Sequence, residues 1–327
     1  MNNPFREKIF EVRTFQQLET TSLEFFRYQA EHNPVYRAYI RNLGVDPEKI
    51  RKIIDIPFLP VECFASFPLL TGKGTIKAEF TSSGTTGVKR SRHCIYDLSI
   101  YEESFSRTFE SHYGDLKDLC ILALLPGYLE RKESSLIYMV DALIRQTGHP
   151  NSGFYLDNFH DLKEMLIQLE KQGQQILLFG VSFALLDFAE FFNSPITNTI
   201  VMETGGMKGR RKEITRNELH HRLCEKFGVS EIHSEYGMTE ILSQAYSRGR
   251  GIFHTPPWMK VLIRDPYDPF DYLPAGRTGG INIIDLANIH SVSFVETQDL
   301  GKLHEDDGFE VLGRFDHSDI RGCNLLL

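Results

Sequence analysis

Between Thr75 and about Ser247, apolar strand-like runs alternate with helical patterns, and this alternation leaves the chain few architectures. The candidate strands are 76–81, 119–125, 175–179, 198–203 and 231–234. Between them lie helical patterns over 98–112, 136–146, 162–170, 183–192 and 213–227. A strand, a helix and a further strand make a crossover unit, and repeated units build a mostly parallel sheet flanked by helices. After about Ser247 the helices vanish, and short strands remain at 259–264, 280–284, 292–295 and 309–312. With Pro/Gly turns between them, these predict a β-rich, barrel-like subdomain. Before Thr75, Phe5, Ile9, Phe10, Leu18, Phe25 and Phe26 recur at helical spacing as far as about Tyr28, and the pattern stops at Asn33-Pro34. Asp46-Pro47-Glu48 reads as the N-cap and first residues of a short helix. The run IPFLPVECFASFPLL reads as a buried connection. The expected division is a helical segment 1–74 packed on the core, an α/β core 75–246 and a β-rich part 247–327.

At 327 residues and 41% hydrophobic, the chain can bury one large core or two fused ones. Its net charge of −8 argues against a nucleic-acid partner, because phosphate neutralisation needs a clustered basic surplus. The short basic stretch from Lys208 to Lys212 is too local for that. The opening MNNPFREKIFEVRTF has no apolar run of secretion-signal length, and no segment reaches the ~18 consecutive apolar residues of a membrane span. The five cysteines, Cys63, Cys94, Cys120, Cys224 and Cys323, are scattered without CxxC spacing, which suggests neither a disulfide framework nor zinc. A cytoplasmic protein is expected.

Three polar segments interrupt these patterns. TSSGTTGVK, Thr81 to Lys89, directly follows a predicted strand. Its glycines, Gly84 and Gly87, allow close backbone approach and positive φ. The hydroxyls of Ser82, Ser83, Thr85 and Thr86, with successive N–H groups, can wrap a polyphosphate, and Lys89 adds a point charge. The GxxxxGK[ST] spacing of a Walker loop is absent. The same composition taken alone would favour a polar surface turn, a reading that the two further segments overturn. HSEYGMTE, His233 to Glu240, offers the flat face of Tyr236 for a base, a turn at Gly237, and Thr239 beside Glu240. A hard-cation ligand such as Glu240 near a phosphate loop is what Mg2+ and ATP require. In the third segment, Glu296 to Asp316, Asp299 can accept from ribose hydroxyls, and Arg314 can contact ribose or phosphate.

Taken in order, these segments resemble the adenylate-forming superfamily of acyl-CoA synthetases, peptide-synthetase adenylation domains and luciferases. The resemblance spans most of the chain. It implies the large N-terminal domain of that α/β fold, with ATP and Mg2+ as cofactors. By matched position it implies Ser82 to Gly87 and Lys89 as the phosphate loop, and Gly205, Gly206 and Met207 as the loop bordering adenine. It implies Tyr236 stacking on adenine, Thr239 on phosphate, Glu240 at the metal, Asp299 on ribose, and Arg314 as the arginine of GRxD. The superfamily loop usually reads TGxPKG, whereas this chain has Val88-Lys89-Arg90, so Lys89 and Arg90 compete for the lysine's place.

The segments LLPGYLERKESSLIYMV, ETGGMKGRRKE and GRFDHSDIRGCNLLL further resemble the acyl-protein synthetase branch. That branch activates a fatty acid with ATP and carries the acyl group on a cysteine near its own C-terminus. The implied partners are a carboxylic acid and an acyl-accepting protein (a reductase or carrier) or coenzyme A. Cys323 suits the carrier role, although Leu325 to Leu327 equally suit a docked tail. Asp316 falls at the superfamily's hinge, and with eleven residues beyond it no counterpart of the small C-terminal domain is expected. Two alternatives remain: a coenzyme A ligase, and an adenylate-binding module impaired in catalysis.

Overall fold

The computed structural model describes residues 4–82, 90–127, 133–205 and 214–315. The chain divides into two compact units. The first comprises residues 1–100, 240–243 and 254–327; the second comprises 101–239 and 244–253.

The first unit opens with helices α1 (Pro4–Phe10), α2 (Phe15–His32) and α3 (Pro34–Asn42). Thr14 and Gln17 form a reciprocal capping box that starts α2, satisfying N–H groups a helix start leaves unpaired. Asn33 ends α2 and starts α3: its backbone N–H bonds Gln29, while its side chain accepts from the N–H groups of Val35 and Tyr36. The stop expected at Asn33-Pro34 is therefore a corner between two helices, because proline at the first helical position lacks only an N–H that would be unpaired anyway. The expected buried connection holds over its first part, where Phe58, Leu59 and Phe64 are buried, Tyr36 donates its hydroxyl to Pro57 O, and strand β1 (Leu59–Pro60) precedes helix α4 (Cys63–Ser66), but not over its second, where Ser66, Phe67 and Pro68 are exposed.

Strand β2 (Ala78–Thr81) differs from expectation. It pairs antiparallel with β3 (Arg92–Ile95), in register from Ala78↔Ile95 to Thr81↔Arg92, and the two form their own small sheet. The Ser/Thr/Gly segment thus joins the strands of a hairpin instead of opening the parallel sheet.

The second unit carries the alternation. Its elements are α5 (Leu98–Tyr113, which begins in the first unit), β4 (Leu119–Leu124), α6 (Ser135–Thr147), β5 (Gly153–Tyr155) and α7 (Phe159–Lys171). There follow β6 (Gln175–Val181), α8 (Ser182–Phe192), β7 (Thr199–Thr204), α9 (Arg216–Phe227), β8 (His233–Tyr236), β9 (Ala245–Ser247) and β10 (Ile252–Phe253). The sheet order is β5-β4-β6-β7-β8-β9, parallel except for antiparallel β9. Every residue of β4 is buried, as a parallel strand covered on both faces requires. Leu177 to Phe188, with its mix of apolar and small residues, forms a core strand and helix: β6 after its first residue and the start of α8 are buried almost throughout.

Back in the first unit, β11 (Met259–Arg264), β12 (Thr278–Asp285), β13 (Phe294–Leu303) and β14 (Phe309–Arg314) form an antiparallel meander, with β1 parallel to β13. Irregular register at Gly280/Asn282 and Leu300/Gly301 bends this sheet. Among the described residues no helix is long and apolar enough to cross a membrane, and Cys63, Cys94, Cys120 and Cys224 are free thiols.

Candidate functional site

In the first unit, the β2/β3 hairpin fixes both ends of the Ser/Thr/Gly segment. Ser82 N–H donates to Ser91 O at 3.1 Å, and Ser91 N–H donates back to Ser82 Oγ at 3.0 Å. The residues between, including Ser83, Gly84, Thr85, Thr86, Gly87 and Lys89, lie outside the described residues, as do Gly206, Met207 and Cys323. Arg90 is exposed.

Three of the expected residues, distant in sequence, gather in this unit. Asp299 and Arg314 are register partners on β13 and β14, and Arg314 Nε donates to Asp299 Oδ1 at 3.2 Å. Asp299 N–H donates to Thr297 Oγ1, which fixes the backbone beneath the carboxylate. Glu240 is buried, and burial pushes its carboxyl above the usual glutamate range. A hydrogen bond from Ser91 and the charge of Arg314 oppose that shift, whereas the neighbouring Asp299 reinforces it. Arg314 thus pairs directly with Asp299 and acts on Glu240 only through its charge, so burial and the neighbouring Asp299 favour the neutral Glu240 carboxyl unless a cation offsets them.

No group of three or more His, Cys, Asp or Glu among the described residues could hold a metal. This donor set still fits Mg2+, which is held by one or two carboxylates and completes its shell with water and substrate phosphate oxygens.

The sequence reading missed what anchors these residues. The carboxylate of Asp285, fully buried, accepts from Leu242 N–H at 2.8 Å, Ser243 N–H at 2.9 Å, Ser243 Oγ at 2.6 Å and Ala287 N–H at 3.1 Å. Asn288 Nδ2 donates to Glu240 O at 2.8 Å and to Val292 O at 3.2 Å. Arg264, also buried, donates to Ile281 O, Asn282 Oδ1 and Thr297 O, tying β11 to β12 and to the approach to Asp299.

In the second unit, Gly205 follows β7 with φ +69°, and Tyr236 ends β8. Thr204 is in register with Glu235, so Gly205 and Tyr236 sit side by side at the C-terminal ends of parallel strands, where ligands of open α/β sheets bind. Tyr236 is buried, its ring 5.9 Å from that of Phe253. Gly237 has a steric reason: an added Cβ would stand 2.4 Å from Glu235 Oε1. Glu235 in turn accepts from Thr204 Oγ1. Thr239 is half-buried and is the last residue before the chain passes into the first unit.

A buried acid, Glu203, organises the end of β7. It accepts from Ser182 Oγ at 3.0 Å and Arg216 Nε at 3.3 Å, with His220 Nε2 at 3.6 Å. Burial would raise its carboxyl, but His220, Arg216 and Ser234 together hold it below the usual glutamate range. The Ser182 hydroxyl also lies 2.8 Å from Gly205 O, which links the acid to the turn. An acidic residue inside an apolar strand pattern, as in both TIVMET and INIID, is the signal that could have exposed Glu203 and Asp285, since a buried charge must be paired.

This architecture is that of adenylate-forming enzymes. A 2-hydroxyisobutyryl-CoA ligase in complex with 2-HIB-AMP and CoA in the thioesterification state matches with TM-score 0.68, over 94% of this chain and 70% of that one, at 14% identity. ATP-bound MatB from Rhodopseudomonas palustris matches with TM-score 0.55, over 74% of this chain and 49% of that one, at 18% identity. The chain spans about half the length of the first solved structures it matches. No curated protein sequence matches it. The family model described as acyl-protein synthetase, LuxE, matches residues 16–327. The chain belongs to that family.

Proposed function

We propose that the protein activates a carboxylic acid with ATP, as an acyl-adenylate, and passes the acyl group to a thiol. In the first step a carboxylate oxygen bonds to the α-phosphorus, the bond to the bridging oxygen breaks, and pyrophosphate leaves. In the second, a thiolate bonds to the acyl carbon and AMP leaves. The observation that carries this reading is the gathering of Glu240, Asp299 and Arg314, since it supplies acceptors for a ribose, a guanidinium and a carboxylate for a cation.

Asp299 accepts from the ribose hydroxyls, and Arg314 steadies Asp299 while reaching ribose or phosphate. Tyr236 and the backbone at Gly205, Gly206 and Met207 receive adenine. Thr239 bonds phosphate, and Ser82 to Gly87 with Lys89 hold the leaving pyrophosphate. Mg2+, when bound at Glu240, supplies charge neutralisation of the phosphates. Such catalysis is orientation and charge stabilisation more than covalent work by the protein.

The family's description as an acyl-protein synthetase supports a protein as acyl acceptor; on this reading the acid is a fatty acid, and Cys323, an acyl-accepting protein or coenzyme A supplies the thiol. Carboxylate-dependent exchange of labelled pyrophosphate into ATP, run across acids of increasing chain length, tests the first step. Labelling of the protein by radioactive acid, lost in Cys323→Ser, tests the second. Formation of acyl-CoA without self-labelling would instead make it a coenzyme A ligase. ATP binding without any exchange would leave an adenylate-binding module. Lys89→Ala should lower exchange by roughly 10²–10³, the usual effect of removing one charge-stabilising donor.

A further inference from the structure

Asp285 is a buried carboxyl group that none of these steps uses. Its two oxygens accept four hydrogen bonds, from Leu242 N–H, Ser243 N–H, Ser243 Oγ and Ala287 N–H, all between 2.6 and 3.1 Å. Two of the donating residues, Leu242 and Ser243, lie two and three positions after Glu240. The side chain of Ser243 is itself held, because Trp258 Nε1 donates to its oxygen at 3.1 Å. One turn further along, Asn288 holds the carbonyl of Glu240 itself. Asp285 caps the short helical turn that follows β12 and Asn288 lies within that turn, so one corner of the sheet grips Glu240–Ser243 at both ends.

Stability alone does not call for such a device. A fully buried carboxylate pays a desolvation cost that an apolar side chain of similar size would avoid, so its retention points to geometry. What it fixes is a four-residue segment whose first member is the candidate metal ligand.

We propose that Asp285 is a positioning residue for Glu240: by gathering the donors of Leu242 and Ser243 it sets the direction from which the Glu240 carboxylate meets the cation. This inference rests on the proposed reading of Glu240. It adds that affinity for the cation is set by a residue on another strand that never touches it. Outer partners of this kind typically change metal affinity or activity by about 10–100-fold when altered.

The test compares Asp285→Asn, Ser243→Ala and Glu240→Gln with the native protein. In Asp285→Asn an amide N–H must face backbone N–H donors that the carboxylate accepted. Ser243→Ala removes one of the four bonds and leaves the backbone pair intact, so it serves if the first variant fails to fold. Two readouts are needed: the Mg2+ concentration giving half-maximal exchange, and calorimetric titration of Mn2+ into the protein saturated with a non-hydrolysable ATP analogue. Circular dichroism fixes a temperature at which each variant is folded.

The expected result is a metal requirement and a Mn2+ dissociation constant raised about 10-fold in Asp285→Asn and by a smaller factor in Ser243→Ala, with KM for the acid unchanged. A lowered melting temperature with native metal dependence in both variants would overturn the proposal, leaving Asp285 a purely structural group. Failure of the parent reading looks different: Glu240→Gln itself would then keep native metal dependence.

Discussion

Asp299 and Arg314 face each other across β13 and β14, yet the side chain of Arg314 is 76% exposed while that of Asp299 is 10% exposed. A half-exposed pair of this kind adds little to folding, typically ~0–1 kcal/mol, because water screens it and the long arginine must be ordered. Arg314→Ala should therefore leave the melting temperature nearly unchanged. It should weaken ATP binding by about 10-fold or more, since a charge-assisted hydrogen bond contributes roughly 1.5–3 kcal/mol. Titration calorimetry with ATP, beside thermal unfolding, separates the two effects. A large loss of stability with native ATP affinity would remove Arg314 from the nucleotide site.

Glu240 gives a prediction in pH. Burial raises its carboxyl above the ordinary glutamate value, and the proposed role as a cation ligand would need the ionised form. The sign follows: activity is full where Glu240 is ionised and falls as pH drops through the raised value. The acid limb of exchange should thus lie above the ordinary glutamate value of about 4.5 and move downward when Mg2+ is raised, because metal binding competes with the proton. Glu240→Gln should abolish that limb and lower the rate by about 10²–10³. A profile whose acid limb is identical in native and Glu240→Gln protein would exclude Glu240 as its origin.

The second unit was largely legible in the sequence, because its strands are continuous apolar runs and its helices carry one apolar face. The candidate strand 198–203, for example, became β7 at Thr199–Thr204. Where the reading failed, a local signal carried two meanings. Asn33-Pro34 ends one helix and starts the next, and the apolar spacing before it displays only the first of these roles. The strand before the Ser/Thr/Gly segment has the composition of its parallel neighbours, and nothing local says that it pairs with Arg92–Ile95 instead. Strand β13 runs from Phe294 to Leu303, well past the expected 292–295, because Glu296, Gln298 and Lys302 broke the apolar pattern that the expectation relied on. Motif spacing picked out Glu240, Asp299 and Arg314, but Asp285, Asn288 and Glu203 belong to no motif. Their roles come from burial, which a sequence does not display.

Around Glu203 the structure predicts a stability effect. Its carboxylate is almost wholly buried, and Arg216 supplies one of its hydrogen bonds and its nearest permanent positive charge. Arg216→Ala leaves that acid short of one partner while Ser182 and His220 remain, and should destabilise the protein by about 1–3 kcal/mol. Arg216→Lys restores the charge without the planar guanidinium, so it should recover only part of the loss. Unfolding midpoints in urea measure both variants. Equal midpoints for native protein and Arg216→Ala would show that the remaining partners suffice.

His233 sets a pH window for stability. Burial lowers its pKa to about 4, and the charges of Arg248 and His220 act in the same direction. The ring sits 3.2 Å from Tyr113 Oη, and Arg248 stacks over the Tyr113 ring at 5.8 Å, so a protonated imidazole would face a cation already in place. In the unfolded chain the same histidine titrates near 6.5. Between about 6.5 and about 4 the unfolded chain therefore binds the proton more readily than the folded one, and stability drops as the pH is lowered across that interval. Above it, the contribution of the neutral ring is fully present. His233→Gln keeps a polar side chain without a titrating group, so the difference in melting temperature between native and variant protein should be constant above pH 7 and shrink or reverse on acidification. Chemical shifts of the His233 ring protons provide the independent check. A midpoint near 6.5 in the folded protein would contradict the buried, cation-flanked setting from which the window is derived.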